Sequence, residues 1–283
     1  MGLFDLTGLT ALVTGAGDPD AIGFACARAL AVQGARVAIT STTDRIHDRA
    51  GELRAVRPVA PRDVAPVAPG EPRRARDPDG KPYVFSFVAD LTDPDAAAAL
   101  VEATVEALGI PTILVNNAGM TSMTDPQAPS ALDRMPTELW RHTVARNVDP
   151  AFLVTRAALP GMLAAGFGRV INVASISGAV VAYPGDVGYH AGKAAMVGLT
   201  RALAVEVAGT GVTANAICPG WIRTPSLTAD EVAMGARTPA GRCGTPSEIG
   251  ATAAFLASRE AAYLTGQTIV VDGAVTVSQL GLA

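Results

Sequence analysis

Thr10-Ala11-Leu12-Val13-Thr14-Gly15-Ala16-Gly17-Asp18-Pro19-Asp20-Ala21-Ile22-Gly23 runs from a short apolar segment through a turn into an alanine-rich stretch of helical character. Glycine lets a backbone turn tightly and come close to a pyrophosphate, whose charge then meets the N–H groups and positive end of the following helix. A plain strand-to-helix connection can carry the same glycines, so the turn gains meaning only from its surroundings.

Working outward, short β-branched or apolar runs alternate with longer helical segments, the order of strand-helix-strand units around a parallel sheet. Strands are expected near Thr10–Thr14, Arg36–Thr40, Tyr83–Ala89, Thr112–Asn116, Arg169–Ala174, Val212–Cys218 and Thr268–Val271. Helices should fill Ala21–Gln33, Asp44–Val56, Pro94–Leu108, Thr137–Ala165, Tyr189–Ala208 and Pro246–Ser258. Thr92-Asp93-Pro94 places a capping residue before a first-turn proline, and Gly109 closes the same segment. The fold class is therefore α/β: a doubly wound Rossmann fold, with a seven-stranded parallel sheet and helices on both faces.

The stretch 57–82 interrupts this pattern with prolines at 58, 61, 66, 69, 72, 78 and 82 and several arginines, a composition that suits neither a regular helix nor a central strand. It reads as an inserted loop on the sheet edge opposite the strand carboxyl ends. A chain of 283 residues, 49% of them hydrophobic, can bury the core of one domain spanning 1–283. No apolar run approaches the roughly 18 residues of a membrane span, and the start lacks a basic segment followed by an apolar one. Three scattered cysteines, Cys26, Cys218 and Cys243, suggest neither disulfides nor a metal site and fit a reducing cytoplasm. A net charge of -4 with few aromatics argues against nucleic acid and for a small ligand.

Three more segments complete the reading: Asn116-Asn117-Ala118-Gly119 after the fourth strand, Tyr189-His190-Ala191-Gly192-Lys193 at a helix start, and Pro219-Gly220 after the sixth strand. Together they resemble the short-chain dehydrogenase/reductase family in its compact single-domain, 3-oxoacyl-acyl-carrier-protein-reductase-like branch, over about Leu6 to Ala274. The resemblance implies that Gly15, Gly17, Ile22 and Gly23 cradle a nicotinamide dinucleotide, with Asp90 and Leu91 flanking the adenine. It further implies Asn117, Ala118 and Gly119 behind the ribose and Pro219, Gly220, Ile222 and Thr224 at the nicotinamide. One departure is that the turn is two residues longer than usual and has Ala21 where a middle glycine is expected. Ser41, Thr42 and Arg45 at the end of the second strand favour NADP(H) over NAD(H), against the nearby Asp18, Asp20 and Asp44.

Tyr189 and Lys193 stand four apart and share one helix face. A phenol near pKa 10 needs a downward shift of roughly 3 units to work at neutral pH, and an ammonium about 4–6 Å away favours the phenolate. The resemblance assigns Tyr189 the acid/base role, Lys193 a second task on the nicotinamide ribose, Ser175 the substrate oxygen and Asn147 a water in the proton relay. Ser177 competes with Ser175, Tyr183 is at most a substrate wall, and His142 and His190 read as structural. Pro150 should disrupt the helix locally beside Asn147.

The substrate, a small ketone or alcohol, should meet Met120–Met135 and Thr224–Thr245. The family pattern needs no metal. It implies a homo-oligomer, a tetramer, paired through Thr137–Ala165 and Tyr189–Ala208. A dinucleotide-binding regulator or scaffold without catalysis is the rival reading. A sugar-nucleotide epimerase of the family's longer branch lacks its second lobe here.

Overall fold

The computed structural model describes residues 2–56, 82–119 and 130–278. Seven strands form one parallel sheet: β1 (Thr10–Val13), β2 (Arg36–Ser41), β3 (Val84–Val88), β4 (Ile113–Asn116), β5 (Gly168–Val173), β6 (Val212–Pro219) and β7 (Thr268–Val271). They lie in the order β3-β2-β1-β4-β5-β6-β7, so the winding reverses between β1 and β4. In such a sheet the connections leaving neighbouring strands diverge at the reversal and open a crevice at the carboxyl ends.

The strands β1, β4, β5 and β6 are buried along their whole length, as a sheet covered on both faces requires. Alternation divides each strand between two cores. Ala11 and Val13 face the cluster containing Phe24, Leu30 and Ile249, whereas Leu12 between them faces the one containing Leu100, Val154 and Met162. The covering helices are α1 (Ile22–Val32), α2 (Arg45–Arg54), α3 (Pro94–Leu108), α4 (Thr137–Ala165), α6 (Val187–Glu206) and α8 (Pro246–Ala257). Between them come α5 (Ile176–Ala179), a single distorted turn, and α7 (Ala229–Ala236).

All seven strands and six long helices stand where the periodicity places them, with no end moved by more than two residues. Asp93 accepts from the Asp95 amide at 2.9 Å, Pro94 opens α3, and Gly109 follows at φ 99°. Neither α5 nor α7 was expected. For α7 a signal was present: Thr228 and Glu231 form a reciprocal capping box, the pattern that also starts α8 at Thr245 and Glu248.

The disruption expected at Pro150 does not occur, because α4 runs unbroken from Thr137 to Ala165 with Pro150 and Pro160 inside it. Each proline withholds one N–H, a cost of about 3 kcal/mol in an isolated helix. Here Pro150, Ala151, Val154, Ala158 and Met162 are buried along one face, and that packing holds the helix together. The insertion lies outside the described residues except Pro82, and so does 120–129 of the expected substrate region.

Candidate active site

At the reversal, the turns after β1 and β4 lock together. The Thr14 hydroxyl accepts from the amides of Asn117 and Ala118, both at 3.0 Å, and the Asn117 side-chain amide donates to the carbonyls of Thr14 at 3.2 Å and Gly15 at 3.0 Å. Gly15 has φ +68°, and a Cβ there would stand 2.9 Å from the Ala118 Cα. A Cβ on Gly23 would overlap the Gly15 carbonyl oxygen, and one on Gly17 would meet the Ser41 side chain at 2.8 Å. At Gly15 and Gly23 the space next to the glycine is filled by backbone and the Asn117 side chain, and at Gly17 by the Ser41 side chain. Ala21 sits at φ -98°, ψ 166°, extended backbone open to any residue, so the longer turn has no need of glycine there.

The second strand ends at this turn. The Ser41 hydroxyl donates to the Thr43 carbonyl at 2.9 Å, and Arg45 Nε donates to the Thr43 hydroxyl at 3.1 Å, while Thr42 is exposed. An Arg45 terminal nitrogen lies 3.9 Å from where a Gly17 Cβ would be, so guanidinium and glycine turn share one corner. Asp90 is exposed and holds Thr92 through its amide and hydroxyl. Leu91 and Ile222 instead bury their side chains in the two cores, leaving only their backbone for a ligand. Gly220 donates to the Val271 carbonyl at 3.0 Å after Pro219 closes β6, and the Thr224 hydroxyl is bonded to Ser226 at 2.9 Å.

The chemistry-bearing side chains converge at the carboxyl end of β5. Ser175 is buried; its hydroxyl accepts from the Ser177 amide at 3.0 Å, and it acts to lower the Tyr189 phenol. Ser177 meets Ser175 through its backbone amide. Lys193 Nζ lies 5.8 Å from the Tyr189 ring centre and donates to the Val173 carbonyl at 3.1 Å. Asn147 is buried on α4, where its side-chain amide donates to the Thr143 carbonyl at 2.9 Å. Gly188 and Gly192 let α6 approach α4 closely: a Cβ on the first would be 3.0 Å from Thr143, and one on the second 2.8 Å from Asn147. Gly119 completes the group, with space for a Cβ ending 3.2 Å from Asn147 Oδ1.

Electrostatics differ from the expectation. Burial pushes the Tyr189 phenol up to about 12, with Asp186, Cys218 and Glu231 on the same side and the Ser175 hydrogen bond opposing. Desolvation of the phenolate is the largest effect, so the downward shift expected beside Lys193 does not occur. Burial also brings Lys193 down to about 8 and raises Cys218 to about 11, so that thiol stays neutral.

His190 is structural, as expected. Its Nδ1 faces the Asp186 carbonyl at 2.7 Å and its Nε2 accepts from the Tyr183 amide at 3.1 Å, an arrangement that fits the neutral Nδ1–H tautomer. Sequence reasoning passed over Asp186, Glu231 and Cys218. The first stood three residues before Tyr189 and the second in a legible capping box, whereas nothing in the spacing marked the cysteine. Among the described residues no group of His, Cys, Asp or Glu could hold a metal ion, and no helix is long and apolar enough to cross a membrane.

A family model described as enoyl-(acyl carrier protein) reductase matches residues 72–276. The chain is 39% identical over 285 residues to the galactitol 2-dehydrogenase (L-tagatose-forming) of Cereibacter sphaeroides, covering 97% of this chain and 98% of that protein. It is 36% identical over 277 residues to the 3-oxoacyl-[acyl-carrier-protein] reductase FabG of Vibrio cholerae, covering 95% and 98%. A short-chain type dehydrogenase/reductase from Mycobacterium marinum superposes with a TM-score of 0.82 at 33% identity, covering 98% of both chains.

Proposed function

This chain belongs to the short-chain dehydrogenase/reductase family, and from that premise we propose that a small ketone or secondary alcohol reacts at Asn147, Ser175, Tyr189 and Lys193 with NADP(H), in preference to NAD(H). That it is an oxidoreductase acting on CH–OH or C=O groups with a nicotinamide cofactor follows from the family itself. The observation that carries the finer reading is the convergence of Ser175 and Lys193 on one phenol at the end of β5.

The residues present fit the dinucleotide. Gly15, Gly17 and Gly23 leave a cradle that a Cβ would fill, beside the start of α1 at Ile22. Asn117, Ala118 and Gly119 would back the ribose, Pro219, Gly220, Ile222 and Thr224 would border the nicotinamide, and Asp90 and Leu91 the adenine. Arg45, with Ser41 and Thr42, would meet a 2′-phosphate. When bound, the dinucleotide supplies or accepts the hydride and, oxidised, places a positive charge in the cleft.

In the reducing direction Tyr189 gives its proton to the carbonyl oxygen while Ser175 holds that oxygen. In oxidation the carbinol carbon gives up hydride, the hydroxyl proton passes to the Tyr189 phenolate, and the ketone remains. A phenol that the protein alone holds at about 12 is a proton donor at rest. Ionising it requires positive charge beyond what the cleft with its Lys193 provides, which the oxidised dinucleotide would add when bound. Lys193 would also hold the nicotinamide ribose, and Asn147 would keep the relay water beside α4.

The proposed protein is one cytoplasmic domain, in keeping with its three free, buried cysteines, and a homotetramer paired through α4 and α6. Parallel fluorescence titration with NADPH and NADH, then loss of cofactor absorbance with a panel of ketones, tests the reading. Tighter NADPH binding with consumption supports it. Binding without consumption of any ketone or alcohol favours the regulator, and no binding overturns both. A monomer on a sizing column refutes the tetramer.

A further inference from the structure

Asp186 precedes α6 and stands three residues before Tyr189. Its backbone forms a bridge with Ser130, and the Gly185 carbonyl accepts from the Ser130 amide at 2.8 Å. One segment expected to meet the substrate is thereby joined to the Asp186 loop. The other expected segment contributes α7, whose Glu231 adds, like Asp186, to the negative field that disfavours ionised Tyr189. Two carboxylates on separate elements thus act on one phenol.

Among the described residues neither carboxylate forms an ion pair. The Lys193 ammonium is committed to the Val173 carbonyl and the Met196 sulfur, and the bonding of His190 fits its neutral tautomer. The two carboxylates differ in what they can still do. Glu231 is occupied by its own cap, with one oxygen taking the Thr228 amide at 2.8 Å and hydroxyl at 2.9 Å. Asp186 is half-buried, and burial raises its carboxyl above the ordinary value; against that act the His190 ring, the Tyr189 amide and the Tyr183 hydroxyl, the last at a long 3.4 Å. A carboxylate can accept about four hydrogen bonds, so part of that capacity remains for a ligand.

We propose that Asp186 selects the substrate: a neutral, polyhydroxylated alcohol or its ketone, one of whose hydroxyls donates to the Asp186 carboxylate while Tyr189 handles the reacting oxygen. A substrate of equal size carrying a carboxylate or phosphate is repelled by Asp186 and Glu231 together. The inference rests on the oxidoreductase reading of the same cleft. Tyr183, edge-on to the His190 ring at 4.4 Å, fixes the loop that presents the carboxylate.

The test uses the full chain with saturating oxidised dinucleotide and three matched probes: a hexitol, the corresponding hexonate and the aminodeoxyhexitol. The hexitol should exceed the hexonate in kcat/KM by at least about tenfold, and added salt should shrink that margin by improving the hexonate alone. Asp186→Asn should bring the two within about threefold of each other, chiefly by raising the hexitol KM, and Asp186→Glu should restore part of the margin. Dinucleotide affinity within about threefold of wild type shows that the variants are folded. A wild type that prefers the hexonate, a margin indifferent to salt, or a ratio unchanged in Asp186→Asn overturns the proposal. So does an aminodeoxyhexitol preferred by tenfold or more, since charge attraction rather than hydroxyl recognition would then decide. If all three probes are inert while ketones are reduced, the polyol inference falls and the oxidoreductase reading stands.

Discussion

The two halves of the cleft are built from different materials. On the β1 and β4 side, shape comes from backbone: glycines at 15, 17 and 23 stand where any Cβ would strike main chain or the Ser41 side chain, and the Asn117 side chain pins the carbonyls of the turn. On the β5 and α6 side, shape comes from side chains taken out of water: a phenol raised to about 12 beside an ammonium lowered to about 8. The first half is steric and tolerates no added atoms. The second is electrostatic and tolerates isosteres structurally while losing its chemistry. Binding and reaction should therefore separate under mutation.

The sharpest separation is expected at Tyr189→Phe, which removes the phenolic hydroxyl and leaves the ring in place. Turnover should fall by about 10³-fold or more while dinucleotide affinity by fluorescence stays within a few-fold; undiminished turnover would sink the assignment. Gly23→Ala probes the other half. Its new methyl overlaps the Gly15 carbonyl, so dinucleotide affinity should drop by at least about tenfold and stability by roughly 1–3 kcal/mol in denaturant titration. Retained affinity would show that the turn is not the cradle.

Lys193→Met sharpens the contrast, because it should abolish turnover and stabilise the fold. The ammonium sits at about 8 when folded against an ordinary 10.5, so between those values the unfolded chain binds more protons and wild-type stability rises with pH. Below pH 8 the full penalty applies, about 3 kcal/mol. After loss of the bond to Val173, a net gain on the order of 2 kcal/mol remains for the variant at pH 7. Urea unfolding at pH 7 and pH 10 checks both the gain and its disappearance. The smallest effect is expected for Ala21→Gly. Restoring the family glycine at an extended position should move dinucleotide affinity less than about threefold and stability by under about 0.5 kcal/mol.

What could be read from the sequence follows the same division. Backbone requirements leave a residue-type signature, so the glycine turn, Asn117, the caps of α3 and the order of strands were all visible as spacing. Tyr189 and Lys193 were visible as a shared face. Their pKa directions were not, since desolvation depends on what packs around them from α4, β5 and β6. Pro150 misled for a related reason: its local cost is real, but the burial of α4 against the sheet is a tertiary quantity. Ala21 looked like a defect only because a conformation cannot be read from a missing glycine.

The reversal between β1 and β4 has a further consequence, for the order of folding. Thr14 and Asn117, whose contact closes the cradle, are 103 residues apart, and the β1–β4 pairing joins the most distant neighbours in the sheet. Pairings of such long range form slowly, because the chain must first surrender the freedom of everything between them. The β1–β2 unit can assemble early from nearby residues, but it has no crevice until the fourth strand arrives. During refolding, cofactor fluorescence should therefore recover later than helical circular dichroism, which makes the dinucleotide a reporter of completed topology.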